Sequence, residues 1–419
     1  MTKMASATTT HEAEVTTHNI LTIPAEICER TAQLALPWDL LNLRRVCKEA
    51  DARVFRTFGQ TWFSHKAYLT CANESLAVFS KITSIAPLAR FLQNIAFCVD
   101  VYPDPDCYSI PYPRSDLREI APIEHSGQLT FLRRIQSQTL RARYEGQKDK
   151  QLDELRLHLL LRAFCQLRES GICPTIEITT EKELESARLC KYEELCNQTG
   201  VQLVVHERGV VQQTTILFDA LGLSALRPRG LEVRIDGIGL PFYELARDET
   251  RFVRLKSAFP NLQRLELEMD TYGEHKVDQT HRLIDAMKYS TTLREVILYW
   301  DSPYMHLHEA FLSHTFPAAT RIQLGNRSFA YGDIVNFVHL QPKLQLLELL
   351  YCDIQLDHKY AYLARVPHCK VERDLERRGA IRTFDIAQSM VGGGWDTGKD
   401  GDEESEVEEN WGGSIGGGP

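Results

Sequence analysis

The sequence predicts an α/β protein with a short three-helix unit at its N-terminus, an irregular solenoid of strand–helix repeats after it, and a disordered acidic tail. Three observations predict this fold class: two prolines that head short apolar helical patterns, a recurring L-x-x-L-x-L pattern in the C-terminal half, and a Gly-rich acidic C-terminus. We expect a disordered N-terminus over 1–18, the helical unit over 19–62, degenerate repeats with long helical and Pro-rich insertions over 63–230, clearer repeats over 231–385, and the tail over 386–419.

The N-terminal unit is predicted from its prolines and its apolar spacing. Pro24 and Pro37 each precede an apolar helical pattern, and proline is tolerated in a helix's first turn because the amide it lacks has no partner there. Asp39 suits the N-cap of the second helix. A unit this small cannot bury much core alone, which favours a docking module. The alternative is an ordinary helical hairpin whose apolar face packs on its own domain.

Three segments of this unit resemble the F-box motif in order and spacing: residues 23–27 (IPAEI), 39–43 (DLLNL) and 46–48 (VCK). F-box proteins dock through that motif onto the Skp adaptor of cullin-based ubiquitin ligases, and their remaining domain holds a protein substrate for ubiquitin transfer. The resemblance implies that the chain is not itself an enzyme. It also implies a set of adaptor contacts: Ile23, Pro24, Ile27, Leu40, Leu41, Leu43, Val46 and Cys47.

The C-terminal half repeats an apolar L-x-x-L-x-L pattern four times. The middle anchors, Leu265, Val296, Ile322 and Leu347, lie 31, 26 and 25 residues apart, and helical stretches stand between them. A weaker copy occupies 231–235. One strand plus one helix at such a period is typical of a solenoid, because each unit has one apolar face that only its neighbours cover.

This pattern resembles a divergent leucine-rich-repeat array. An F-box followed by irregular repeats resembles the F-box proteins that are numerous in filamentous fungi. The alternative is a doubly wound α/β sheet, which has the same alternation of strands and helices. Before the repeats, we expect strands at 92–101 and 173–179, and helices at 129–144, 152–167 and 183–197.

The repeat strands predict a surface that binds the target. In a leucine-rich solenoid the leucines point inward and the alternate residues line the other face. We expect three rows across that face: Glu232, Glu266, Ile297, Gln323 and Glu348; then Arg234, Glu268, Tyr299, Gly325 and Leu350; then Arg264, Glu295, Arg321 and Leu346. The candidate target-binding residues are Glu266, Glu268, Ile297, Tyr299 and Trp300.

The apolar residues of these rows predict where target binding is strongest. We expect an exposed apolar centre at Ile297 and Tyr299, with Trp300 at its edge, because exposed aromatics framed by polar residues are typical of interface hot spots. The alternative is that residues 360–384 fold back and cover them.

The charge and hydropathy of the sequence limit which partners and which cellular location we expect. The net charge is −9, and residues 396–409 carry eight acids against Lys399, so the rest of the chain is close to neutral at −2. The absence of a strong basic patch argues against a nucleic-acid partner, and the absence of an eighteen-residue apolar run argues against a membrane span. The polar N-terminus lacks a signal peptide's apolar core, so we expect an intracellular protein, cytoplasmic or nuclear.

No catalytic motif stands out. The sequence has no GxGxxG, no P-loop lysine and no HExxH, so we expect neither a cofactor nor a metal. Its eleven cysteines include no CxxC pair and are expected to be free thiols in a reducing compartment. Two other functions stay open. One is an interaction protein that binds the Skp adaptor or other proteins outside a ligase. The other is an enzyme on an α/β sheet whose site no motif marks.

Overall fold

The computed structural model describes twelve ranges of the chain: 24–35, 37–106, 126–184, 189–235, 240, 248–269, 276–300, 311–325, 328–350, 352–356, 383–387 and 390–393. Within these ranges the protein is α/β, with twelve α-helices and two parallel sheets. The class predicted from the sequence is therefore confirmed at this level.

The helices are short at the N-terminus and longest in the middle of the chain. In chain order they are α1 Ala25–Leu34, α2 Pro37–Val46, α3 Lys48–Phe63, α4 Asn73–Thr83, α5 Ala86–Ala89, α6 Ser126–Gln147, α7 Lys150–Glu169, α8 Tyr192–Thr199, α9 Glu207–Ser224, α10 Glu249–Ser257, α11 Lys276–Met287 and α12 Tyr331–Leu340.

The described ranges hold thirteen strands, which lie between or after these helices. They are β1 His65–Leu69, β2 Asn94–Cys98, β3 Thr175–Thr179, β4 Leu189–Cys190, β5 Gly230–Arg234, β6 Arg264–Met269, β7 Glu295–Trp300, β8 Arg321–Gly325, β9 Ser328–Ala330, β10 Leu346–Leu350, β11 Asp353–Leu356, β12 Thr383–Ala387 and β13 Met390–Gly393. The larger sheet has the order β12-β10-β8-β7-β6-β5-β3-β2-β1-β4 and the smaller has the order β13-β11-β9. Every pairing among these thirteen strands is parallel.

The strands of the larger sheet follow one another across it in chain order, apart from β4. Helices stand in the crossovers, as α10 does between β5 and β6 and α11 between β6 and β7. A doubly wound sheet reverses its strand order inside the sheet. Among the described strands, the order in the sheet differs from the order along the chain only at the outer edge, where β4 pairs with β1.

One face of the large sheet is buried against helices. Alternate strand residues such as Leu265, Leu267, Val296 and Leu298 belong to a core that also holds apolar side chains of α4, α7, α9, α10, α11 and α12. A side chain every second residue reaches the same face of a strand, so the predicted leucine positions are those that the helices cover. At the N-terminal end of this core, the rings of Phe79, Phe97 and Phe164 contact one another edge to face, with centroids 5.5 to 5.9 Å apart.

The opposite face is covered by helices over the first strands. Ala67 of β1 and Ala96 of β2 share a second apolar cluster with Leu140 of α6 and Leu195 of α8. On strands β5, β6, β7, β8 and β10 the residues of this face are mostly charged or polar, and several are partly exposed. We call this stretch the open face.

Several expected elements are confirmed. The expected strands at 92–101 and 173–179 contain β2 and β3. The expected helices at 129–144 and 152–167 lie inside α6 and α7.

Two expectations are wrong. The helix expected over 183–197 is interrupted, because Leu189–Cys190 extends along β1 and Lys191 adopts a positive φ of 72° before α8 begins. The tail does not start at 386, because β12 and β13 reach 393 and pair with β10 and β11, which would otherwise be edge strands. The expectations for 1–18 and for the tail beyond 393 lie outside the described residues.

Within the described ranges, no helix has both the length and the apolar composition that crossing a membrane requires.

Candidate functional site

The N-terminal helices begin where their prolines predict. Pro24 directly precedes α1, and Pro37 is the first residue of α2. Asp39 is not an N-cap, because α2 starts two residues earlier. Its carboxylate lies in the first turn, where a negative charge interacts favourably with the positive end of the helix dipole. Cys47 caps α3, since its sulfur accepts a hydrogen bond from the Ala50 amide at 3.4 Å.

The three helices have a small core of their own. Its buried side chains are Cys28, Ala32, Leu40, Val54 and Phe58. Leu41 and Leu43 are partly buried beside it. Leu40 is fully buried. This predicted adaptor contact therefore belongs to the core of the unit and not to its surface.

Large apolar side chains remain exposed on α1 and α2. Ile27 is 56% exposed and Val46 is 69% exposed, and both were predicted to contact the adaptor. Leu34, at the end of α1, is exposed as well. Its exposure was not predicted, although Leu34 stands in the apolar run before Pro37. Pro24 is exposed, and Ile23 lies outside the described residues. Two predicted contacts, Ile27 and Val46, are therefore at the surface, and Leu34 is a third exposed apolar side chain of the unit.

Contacts fix this unit internally and against the sheet. Arg44 binds Asp51 through a 2.5 Å contact between its Nε and the carboxylate Oδ1, and its guanidinium lies 4.0 Å from the ring centroid of Phe58. These contacts join α2 to α3. A Cβ at Gly59 of α3 would overlap the ring of Phe91, so only glycine allows this close approach to the chain between α5 and β2.

The predicted rows of the open face are present in the strand register. Glu266 of β6 aligns with Ile297 of β7, then with Gln323 of β8 and Glu348 of β10, and on the other side with Glu232 of β5. The neighbouring rows align likewise: Glu268, Tyr299, Gly325 and Leu350, then Arg264, Glu295, Arg321 and Leu346. The alternation of the sequence therefore located these side chains correctly.

Two arginines and three glutamates form a network across β5, β6 and β7. Arg264 lies 2.6 Å from Glu295, 2.7 Å from Glu266 and 2.9 Å from Glu232. Arg234 lies 2.7 Å from Glu266 and 3.2 Å from Glu232. We call these five residues the arginine–glutamate network. The network links β5, β6 and β7 through side chains, in addition to the backbone pairing of these strands.

Tyr299 is the aromatic residue at the centre of the open face. It is half-buried, its hydroxyl accepts a hydrogen bond from the Gln323 side-chain amide, and a Cβ at Gly325 would overlap its ring. The expected exposure of Ile297 is wrong, because this side chain is only 4% exposed between Glu266 and Gln323, the neighbours in its row. The side chain of Trp300 and the residues at 357–382 lie outside the described part of the chain.

The charge state of Glu266 depends on both arginines. Burial on its own raises the pKa of the Glu266 carboxyl, but the hydrogen bonds and positive charges of Arg234 and Arg264 outweigh it. The pKa of Glu266 therefore lies below its usual value of 4.5. A carboxyl whose pKa is lower in the folded than in the unfolded chain stabilises the fold. The stabilisation is fully present at pH values above the pKa of the unfolded chain, and it is lost as the pH falls through the pKa of the folded chain.

Replacing Glu266 by glutamine is expected to lower the free energy of unfolding by about 1–2 kcal/mol at pH 7. Removing one partner of a buried ion pair costs about 3–5 kcal/mol, and we discount this because the two arginines are partly solvated. The difference from the wild type should shrink below pH 4.5, as Glu266 itself becomes protonated. Urea denaturation at pH 7 and pH 4 measures the difference, with Glu154→Gln, at an exposed position of α7, as the control. A difference that stays constant with pH would contradict the role given to the network.

The described residues offer binding surfaces and no assembled metal centre. Within these ranges, no three His, Cys, Asp or Glu side chains are placed to hold a metal ion together, and the nine cysteines described are free. No protein-family model matches the chain, and no curated protein matches it. The chain's own residues therefore carry the functional argument.

Proposed function

We propose that this chain is the substrate-recognition subunit of a cullin-type (SCF) ubiquitin ligase and docks onto the Skp adaptor through α1, α2 and α3. One observation carries the proposal: Ile27 and Val46 are largely exposed on a unit whose own core is already filled by Leu40 and its neighbours. An adaptor that covers these side chains gains roughly 25 cal/mol per Å² of apolar surface removed from water. The F-box-like order of residues 23–48 supports the same partner.

The strand order supports a leucine-rich-repeat-like solenoid as the domain that holds the target. The strands follow the chain order, and the L-x-x-L-x-L leucines share one core with the helices between them. In such an array each repeat contacts its neighbours, and the strands keep one face available for a partner. The open face is the part of this sheet that would bind the target.

The charges of the open face favour a basic target segment. This face carries five glutamates and three arginines, a net charge of −2: Glu232, Glu266, Glu268, Glu295 and Glu348 against Arg234, Arg264 and Arg321. Complementary charge steers association and excludes partners of the wrong sign. The half-buried ring of Tyr299 supplies an apolar contact in the middle of this surface.

In this role the chain carries out no chemistry itself. The N-terminal unit binds the adaptor, the adaptor binds cullin, and the repeat domain binds the target. Holding the target there raises its effective concentration near the ubiquitin-transfer machinery, so the rate increases without a catalytic residue in this chain.

A pull-down of the tagged full chain, probed for the Skp adaptor and for cullin, tests the proposal. Recovery of both supports a substrate receptor. Recovery of the adaptor without cullin supports the alternative, an interaction protein that works outside a ligase. Recovery of neither contradicts the proposal and favours the remaining hypothesis, an enzyme on an α/β sheet.

A further inference from the structure

Helix α3 leads into the large sheet with a single residue between them. The helix ends at Phe63, and β1 begins at His65. The residue between, Ser64, accepts a backbone hydrogen bond from the Asn94 amide at 2.9 Å, which extends the pairing of β1 with β2 by one residue. Its hydroxyl donates to the Gln60 carbonyl in the last turn of α3. The connection between the N-terminal unit and the first strand is therefore short and fixed at both ends.

Phe63 belongs to two apolar clusters. It packs against the small core of the N-terminal unit, and it also packs against the large core between the sheet and its helices. Its ring contacts that of Phe58, a buried member of the small core, with centroids 5.8 Å apart. Residues that share a packing partner in this way are coupled energetically. Phe63 therefore links burial in the N-terminal unit to burial in the repeats.

A second contact joins α3 to the chain between α5 and β2. The side chain of Phe91 in this stretch is buried, and its ring meets that of Phe55 edge to face with centroids 5.7 Å apart. Phe91 lies between Ala89 and Leu92, which both belong to the large core. A displacement of Phe91 would therefore move side chains of this core through the backbone.

Gly59 sets how closely α3 approaches Phe91. It is buried in the helix, and an alanine at this position would have to push the Phe91 ring away. Glycine lowers the stability of a helix interior relative to alanine. Its presence in α3 therefore fits a requirement for close packing between the helix and the sheet at this point.

Helix α2 connects the docking surface to the same rings. The guanidinium of Arg44 lies 5.1 Å from the ring centroid of Phe55, in addition to its contact with Phe58. Such cation–π contacts are attractive. Val46, an exposed candidate adaptor contact, is two residues further along this helix. Packing contacts therefore run without a gap from the helix that carries Val46 to the chain that leads into β2.

We propose that Gly59, Phe63 and Phe91 couple the folding of the N-terminal unit to that of β1 and β2, so that adaptor docking stabilises the large sheet from its first strands. A partner that binds only the folded unit stabilises everything that unfolds together with it, by a factor of 1 + [L]/Kd. Because each repeat contacts its neighbours, the gain is largest at β1 and β2 and decreases along the sheet. The coupling is a property of the chain alone, and only the role of the adaptor rests on the proposed function.

Hydrogen exchange of the full chain, measured by mass spectrometry, tests the coupling without any partner. Leu40→Ala removes a fully buried side chain from the small core, and it is expected to speed exchange of the β1 and β2 amides by about tenfold or more. In a Gly59→Ala background the same substitution should speed this exchange by no more than about threefold, because the coupling is already broken. Exchange at β1 and β2 that Leu40→Ala leaves unchanged in the wild-type background overturns the proposal.

A second arm of the experiment adds the purified Skp adaptor at about 100 times its Kd. Exchange at β1 and β2 of the wild-type chain is expected to slow by at least about tenfold, within the limit of about 100-fold that this concentration sets. Gly59→Ala and Phe91→Ala should still bind the adaptor, since Ile27 and Val46 are unchanged, but they should lose most of this slowing. The matched control is Phe252→Ala, which removes another buried ring from the large core, on α10, and should keep it.

Two results with the adaptor also overturn the proposal: binding that leaves exchange at β1 and β2 of the wild-type chain unchanged, and slowing that persists in both Gly59→Ala and Phe91→Ala. Either result leaves the proposed function standing, because the adaptor still binds. A chain that does not bind the adaptor contradicts the proposed function instead, and the Leu40→Ala comparison then decides the coupling by itself. If Phe91→Ala fails to fold, Gly59→Ala carries the test, since alanine favours a helix interior.

Discussion

Replacing Ile27 and Val46 together by glutamate is expected to lower the affinity for the Skp adaptor by about 100-fold or more. Burying one such side chain stabilises a complex by about 1.5–3 kcal/mol, and every 1.4 kcal/mol is a factor of ten. A carboxylate forced into an apolar contact adds a further cost. Both side chains are exposed in the free chain, so the fold should tolerate the change.

The control for this pair is Val253→Glu with Leu340→Glu. These residues are also large, apolar and exposed, but they lie on α10 and α12. Equal melting temperatures for the two double variants, with adaptor affinity lost from the first alone, assign docking to α1 and α2. Wild-type affinity in the Ile27 and Val46 variant would remove the N-terminal unit as the docking site.

Replacing Tyr299 by alanine is expected to weaken target binding by about 30-fold, without changing adaptor binding. Truncating a central aromatic hot spot costs about 2 kcal/mol or more. Gly325→Ala should act in the same direction, because its Cβ would displace the Tyr299 ring from the neighbouring strand. The measurement is calorimetry with a target first identified by mass spectrometry of a pull-down.

Tyr289→Ala is the matched control for the target surface. Tyr289 is 57% exposed and lies next to Lys256, just after α11, away from the open face. Glu232→Ala is unsuitable as a neutral control, because Glu232 binds both arginines of the network. Equal losses for Tyr299→Ala and Tyr289→Ala, or none for either, would place the target elsewhere.

Local pattern was enough to predict much of the sheet and the N-terminal helices. Alternation alone places Leu265 and Leu267 in the core and Glu266 on the other face, since a strand's side chains alternate by geometry. The prolines before α1 and α2 act through a missing amide, which is equally local. Alternation along one strand could not predict that Ile297 is buried. Its burial depends on the neighbouring strands, where Glu266 and Gln323 stand beside it in the same row.

Elements that depend on distant partners were missed or misjudged. Strand β1 and helix α9 were not predicted, and the end of β12 and all of β13 fall in the stretch expected to belong to the tail. One cavity is lined by residues that follow β1 and β2 and by residues of α6 and α7, so no spacing in the sequence marks it. The arginine–glutamate network had a visible signal, since Arg264 and Glu295 hold opposite charges at aligned positions.

Calorimetric titration of the purified chain into the purified Skp adaptor tests whether the N-terminal unit docks on this adaptor. We expect a one-to-one complex with a Kd below about 1 μM. The glutamate substitutions at Ile27 and Val46 should abolish it, and the Val253 and Leu340 control should retain it. A folded wild-type chain that shows no binding at about 100 μM adaptor would contradict it.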